Sequence, residues 1–153
     1  GSVKAYKNMC LEENVKIFPY KNIDIFPCGL SDKNKDGTPI RLNSYAPGFN
    51  IFAAEMNNIR LPLRTIDYLV DSGEIEKINF LKLDVEGSEM ATLRGARNSI
   101  DRFKPKLAIS IYHKPDDFFE IINYIKENHK YYKLYVDHYT VHREETVVYG
   151  LPY

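Results

Sequence analysis

"NFLKLDVEGSEMATLRGA", residues 79–96, drives an apolar run straight into three acids, Asp84, Glu86 and Glu89. The run predicts a strand over 78–84, a sharp turn at Gly87 and a helix over 88–101. Met90, Leu93, Ala96, Ile100 and Phe103 follow one another at spacings of three and four, which is one buried helical stripe. The acids therefore stand where a strand ends and a helix begins, and a turn between them can let their carboxylates converge.

The same alternation continues downstream. "KLAISIYH", residues 106–113, reads as a second strand. "KPDDFFEIINYIKENH" reads as a helix, with Pro115 near its first position and acids at its start. "YYKLYVDHY" and "ETVVYGLPY" read as two extended runs of an antiparallel hairpin. Upstream, "IRLPLRTIDYLVDSGEI" gives a short extended piece and then a helix from about Thr65, a suitable N-cap with Asp67 in the first turn. "NIDIFPCGLSD" predicts a strand over Ile23–Cys28, stopped by Gly29, and "KAYKNMCLEEN" has helical character. Between Ser31 and Asn58 the pattern dissolves into Gly, Pro, Asn and Asp, which predicts loops or a hairpin. Such a length is more often functional than passive.

Strands alternating with helices predict an α/β fold with a mostly parallel, covered sheet and a C-terminal antiparallel hairpin. Ligands of such sheets sit outside the carboxyl ends of the strands. Asp84 ends one strand and His113 ends the next.

Carboxylates at that place can hold a divalent metal, act as a general base or clamp a polar substrate or cofactor amine. Glu89 can equally serve the positive end of its own helix behind a Ser88 cap. His113 can take a proton from a hydroxyl or simply cap its turn. Asp32 in "CGLSDKN" can accept a ligand amine or close an Asx turn. His138 and His142 read as surface residues. The chain contains no G-x-G-x-x-G, Walker, G-x-S-x-G or H-E-x-x-H pattern.

Composition narrows the classes further. The 153 residues suit one domain, 3–153, behind a Gly1-Ser2 cloning scar. Lys and Arg number 21 and so do Asp and Glu, so there is no broad grip on nucleic acid or anionic lipid. Cys10 and Cys28 lack metal-type spacing and read as thiols of a reducing compartment, with one disulfide as the alternative. No stretch approaches the roughly 20 apolar residues of a membrane span. The expectation is a cytoplasmic protein.

"LPLRTIDYLV", "INFLKLDVEGSEMATLRGA", "PKLAISIYH" and "YKLYVDHY…ETVVYGLP" occur in the order found in FkbM-type methyltransferases, and "LKLDVEGSE" followed by "LRGA" is the specific part. The resemblance runs from about Val3 to Tyr153. It implies a Rossmann-like, S-adenosylmethionine-dependent methyltransferase acting on a hydroxyl of a sugar or polyketide-like natural product, a small-molecule or glycan acceptor. It also implies that the chain starts past the family's main cofactor loop, as an incomplete and inactive piece able to oligomerise through an exposed sheet edge. By the resemblance Asp84, Glu86 and His113 are catalytic, Cys28, Gly29, Asp32 and Asp84 bind cofactor, and Glu89 binds substrate. Two alternatives stand beside it: metal-dependent hydrolysis or phosphoryl transfer at the acids, and a non-enzymatic module that dimerises.

Overall fold

The computed structural model describes residues 23–39, 60–142 and 144–153. The expected N-terminal helix, Cys10 and most of the 31–58 stretch lie outside these residues. The described residues fall into two compact units, one of 23–29, 35–39 and 60–63, the other of 30–34 and 64–153.

The first unit carries most of a three-stranded sheet, β1 (Gly29–Leu30), β2 (Lys35–Pro39) and β3 (Arg60–Arg64), in the order β1-β3-β2. β2 and β3 are antiparallel, with an irregularity between Lys35 and Thr38. The expected strand Ile23–Cys28 is absent, and pairing begins only at Gly29. Pro27 has no N–H to give a ladder, and Cys28 N–H turns back to the Phe26 carbonyl at 2.8 Å.

In the second unit, α1 (Ile66–Asp71) starts as expected, with Thr65 Oγ1 accepting the Tyr68 N–H at 2.9 Å. It buries Ile66, Leu69 and Val70, the i, i+3, i+4 face. β4 (Phe80–Leu83) alternates, with Leu81 and Leu83 buried and Phe80 and Lys82 outward. β5 (Lys106–Ser110) is buried from Leu107 onward because it lies between β4 and β7. The hairpin β6 (Tyr132–His138) and β7 (Thr146–Pro152) pairs over seven residues, from Tyr132↔Pro152 to His138↔Thr146.

The sheet order is β4-β5-β7-β6. β4 and β5 are parallel, whereas β5–β7 and β6–β7 are antiparallel. This four-stranded sheet is therefore mixed, and within it the expected parallel pairing holds for β4–β5 alone.

The helix expected over 88–101 is two helices, α2 (Glu89–Arg94) and α3 (Arg97–Phe103). Of the expected stripe, Met90, Leu93, Ala96 and Ile100 are in the core, and Phe103 packs against it half-buried. What breaks the helix is Asp67. Its backbone N–H takes the Gly95 carbonyl at 2.9 Å. Its carboxylate takes the Asn98 and Ser99 N–H groups at 3.1 and 2.8 Å and the Ser99 hydroxyl at 2.6 Å. A continuous helix would have joined Ser99 N–H to Gly95 C=O. Asp67 stands between them and caps α3, whose own N-cap, Ala96, has no side-chain acceptor.

α4 (Asp117–Asn128) begins two residues after Pro115, and Asp117 Oδ2 accepts the Lys114 N–H at 3.0 Å. Ile121 and Ile125 face the core. Its C-cap, His129, is wholly buried, and Nδ1 sits 2.8 Å from Asp101 Oδ1. Tyr131 donates its hydroxyl to the same oxygen at 2.7 Å, which ties the end of α4 to α3.

Candidate active site

The parallel register sets Leu83 beside Ile109, so the next residues, Asp84 and Ser110, arrive side by side. Ser110 Oγ donates to Asp84 Oδ1 at 3.1 Å, and the Tyr112 hydroxyl reaches the same oxygen at 3.4 Å. Lys82 Nζ holds Oδ2 at 3.1 Å. Burial works to raise the Asp84 pKa, but the hydrogen bonds from Lys82 and Ser110 and the charges of Lys82 and His113 outweigh it. They hold the carboxyl below its ordinary value. Asp84 is thus ionised at neutral pH. Burial, together with the charges of Asp84 and Glu145, pushes the Tyr112 phenol up to about 12, so it stays a donor.

The turn after Asp84 uses two consecutive left-handed residues, Glu86 at φ 53° and Gly87 at φ 90°. Gly87 adopts this freely, while Glu86 is strained there. Lys114 Nζ bonds the Gly87 carbonyl, and a β-carbon at Gly87 would meet Lys114 Cε at 3.2 Å. The turn throws the Glu86 side chain outward, 90% exposed. It then folds Glu89 inward to complete burial, where Oε1 accepts the Val85 N–H at 2.8 Å. Ser88 makes no side-chain capping bond.

His113 stands over these acids with only 10% of its side chain exposed. Nδ1 lies 2.8 Å from Glu89 Oε1, yet it is not directed into a hydrogen bond. Nε2 is 3.8 Å from Asp84 Oδ1 and 3.6 Å from Glu86 Oε2. Tyr112 packs on the imidazole at a centroid distance of 4.2 Å.

Four of the expected site residues, Asp84, Glu86, Glu89 and His113, therefore come together. Glu89, expected to bind substrate, lies behind His113 with no exposed surface. Asp32 is exposed in a bend after β1, where Ser31 Oγ donates to it at 3.3 Å. Cys28 and Gly29 belong to the first unit, Cys28 half-buried and Gly29 opening β1. His138 bonds Thr146 Oγ1 across the hairpin, a surface role as expected.

Ser110, Tyr112, Lys82 and Lys114 escaped the sequence reading. The signal for Ser110 was available, since two parallel strands ending in register must place their terminal residues together.

Fold and cluster define an α/β protein that gathers its ionisable groups at the carboxyl ends of two adjacent parallel strands. The model of the FkbM methyltransferase domain matches residues 12–133. The chain belongs to the FkbM methyltransferase family. The crystal structure of methyltransferase FkbM from Methylobacillus flagellatus KT is similar, with a TM-score of 0.69 and 28% identity. The likeness covers 92% of this chain and 32% of that one, so this chain spans about a third of that protein's length. No curated protein matches this chain significantly.

Proposed function

We propose that the chain carries the methyl-transfer site of an S-adenosylmethionine-dependent, Rossmann-like methyltransferase, and that the acceptor is a hydroxyl. The observation that carries this reading is an ionised Asp84 and an imidazole, His113, within 3.8 Å at the ends of adjacent strands of an FkbM domain.

The donor set suits one part of the cofactor. Asp84 and Glu86 offer negative charge at the open side of the cluster, which favours a sulfonium or an amine over a phosphate. When bound, S-adenosylmethionine supplies an electrophilic methyl group. The residues of this chain then have two tasks. One is to hold the acceptor oxygen in line with that methyl, which is where most of the acceleration arises. The other is to receive the acceptor's proton. Asp84, Glu86 and His113 are the groups within reach of one another that can do so. The resemblance to the family supplies the acceptor class, a sugar or polyketide-like natural product.

Transfer of a labelled methyl from S-adenosylmethionine to polyhydroxylated acceptors tests the reading. Asp84→Asn or His113→Ala lowers the rate by about 10²- to 10⁴-fold if that residue receives the proton. Equal rates in both variants and the wild type place the chemistry elsewhere.

A further inference from the structure

We propose that Asp84, Glu89 and His113 bind a first-row divalent cation. One ligand atom from each lies within 4.8 Å of the other two. An ion with bonds of about 2.0–2.2 Å holds tetrahedral ligand atoms about 3.3–3.6 Å apart. Closure therefore needs movements of about an ångström, within reach of side-chain rotation.

The second observation is independent of the clustering. Glu89 Oε2 and His113 Nδ1 are both buried and both lack a hydrogen-bond partner. Glu89 is fully buried and the His113 side chain nine-tenths so. Nδ1 faces Glu89 Oε1 at 2.8 Å without the alignment of a hydrogen bond. Buried polar atoms without hydrogen-bond partners are rare in native proteins, and a cation held between these two side chains would satisfy both.

The surrounding groups fix the ligands. Val85 N–H holds Glu89 Oε1, while Ser110 and Tyr112 hold Asp84 Oδ1. Lys82 Nζ, on Asp84 Oδ2, is the local competitor; its side chain is 62% exposed and free to swing into water. Two carboxylates and one imidazole suit Mn²⁺, Fe²⁺ or Zn²⁺ better than Mg²⁺ or Ca²⁺, which favour all-oxygen sets. Three protein ligands leave positions open on the Asp84 side. A hydroxyl-bearing acceptor can occupy them, a role that rests on the methyl-transfer reading, and Glu86, outside the three, remains free to take its proton. The binding itself does not rest on that reading.

The test is a calorimetric titration of MnCl₂ into this chain, followed by the imidazole proton spectrum at sub-stoichiometric Mn²⁺. One saturable site is expected. Asp84→Asn, His113→Gln and Glu89→Gln, the last keeping an acceptor for Val85, each weaken it by about tenfold or more. Glu120→Gln, on the exposed face of α4, leaves it unchanged. In the wild type, Mn²⁺ broadens the His113 ring signals before those of the exposed His138 and His142, which settles the matter even if a variant fails to fold. Absence of saturable binding at millimolar Mn²⁺ overturns the proposal, and so does binding indifferent to the three substitutions. S-adenosylhomocysteine binding is read separately, so either idea can fail alone.

Discussion

A β-carbon on Gly95 would lie 2.1 Å from the Ser31 carbonyl oxygen and 3.2 Å from Thr65 Cβ. Backbone cannot yield as a side-chain tip can, so Gly95→Ala is expected to destabilise the protein by about 1–3 kcal/mol or more in urea unfolding. This is the physical content of the glycine in "LRGA": close approach, with φ in the ordinary helical range. Asp67 is the second sensitive residue. Asp67→Ala strips the N-terminus of α3 of its acceptor and should cost about 1–2 kcal/mol, with Asp67→Asn losing less. A loss no larger than that of Asp71→Ala, on the exposed end of α1, would contradict its capping role. From sequence, Asp67 reads only as an acid in the first turn of its own helix. Its real partners lie on another helix, and no local pattern marks that. Asp84 and His113 were legible for the opposite reason, because each closely follows an apolar strand, although β5 ends at Ser110, short of the expected 113.

At the scale of elements, the α2–α3 stripe was readable from its spacing and the break within it was not. Spacing reports which face is buried; Asp67, which ends α2 and starts α3, acts from outside the stripe. The Asp101–His129–Tyr131 link was also invisible, since its members come from α3, the C-cap of α4 and the residue before β6. Its pH behaviour follows from Asp101. Burial raises that pKa, but the hydrogen bonds from Tyr131 and His129 and the His129 charge outweigh it, so the carboxyl is held below its ordinary value of 3.8. The link therefore contributes fully above the unfolded pKa and fades as pH falls through the folded one. Wild type should melt above Asp101→Asn at neutral pH, and the gap should close in acid below about pH 4. A gap that persists at pH 2 would show that Asp101 acts through packing. Tyr131→Phe removes the hydroxyl that reaches both Asp101 and the Ile100 carbonyl, and should cost about 1 kcal/mol at neutral pH.

Across the molecule, the strand–helix alternation led to a mostly parallel sheet, and the second unit's sheet is mixed. β5 reads the same by sequence whether its neighbours run with it or against it, because burial on both faces erases the alternation that would tell them apart. The gathering of Asp84 and His113 does not depend on this, since it needs only β4 and β5 to run parallel and end level. Family membership and the strand-end cluster carry the proposal of methyl transfer, and cofactor binding tests that most directly. The measurement is a calorimetric titration of S-adenosylhomocysteine into the protein, with Asp84→Asn alongside. Saturable binding, weakened by Asp84→Asn, is the expected result. Absence of binding, or binding that ignores Asp84, would contradict the methyl-transfer reading.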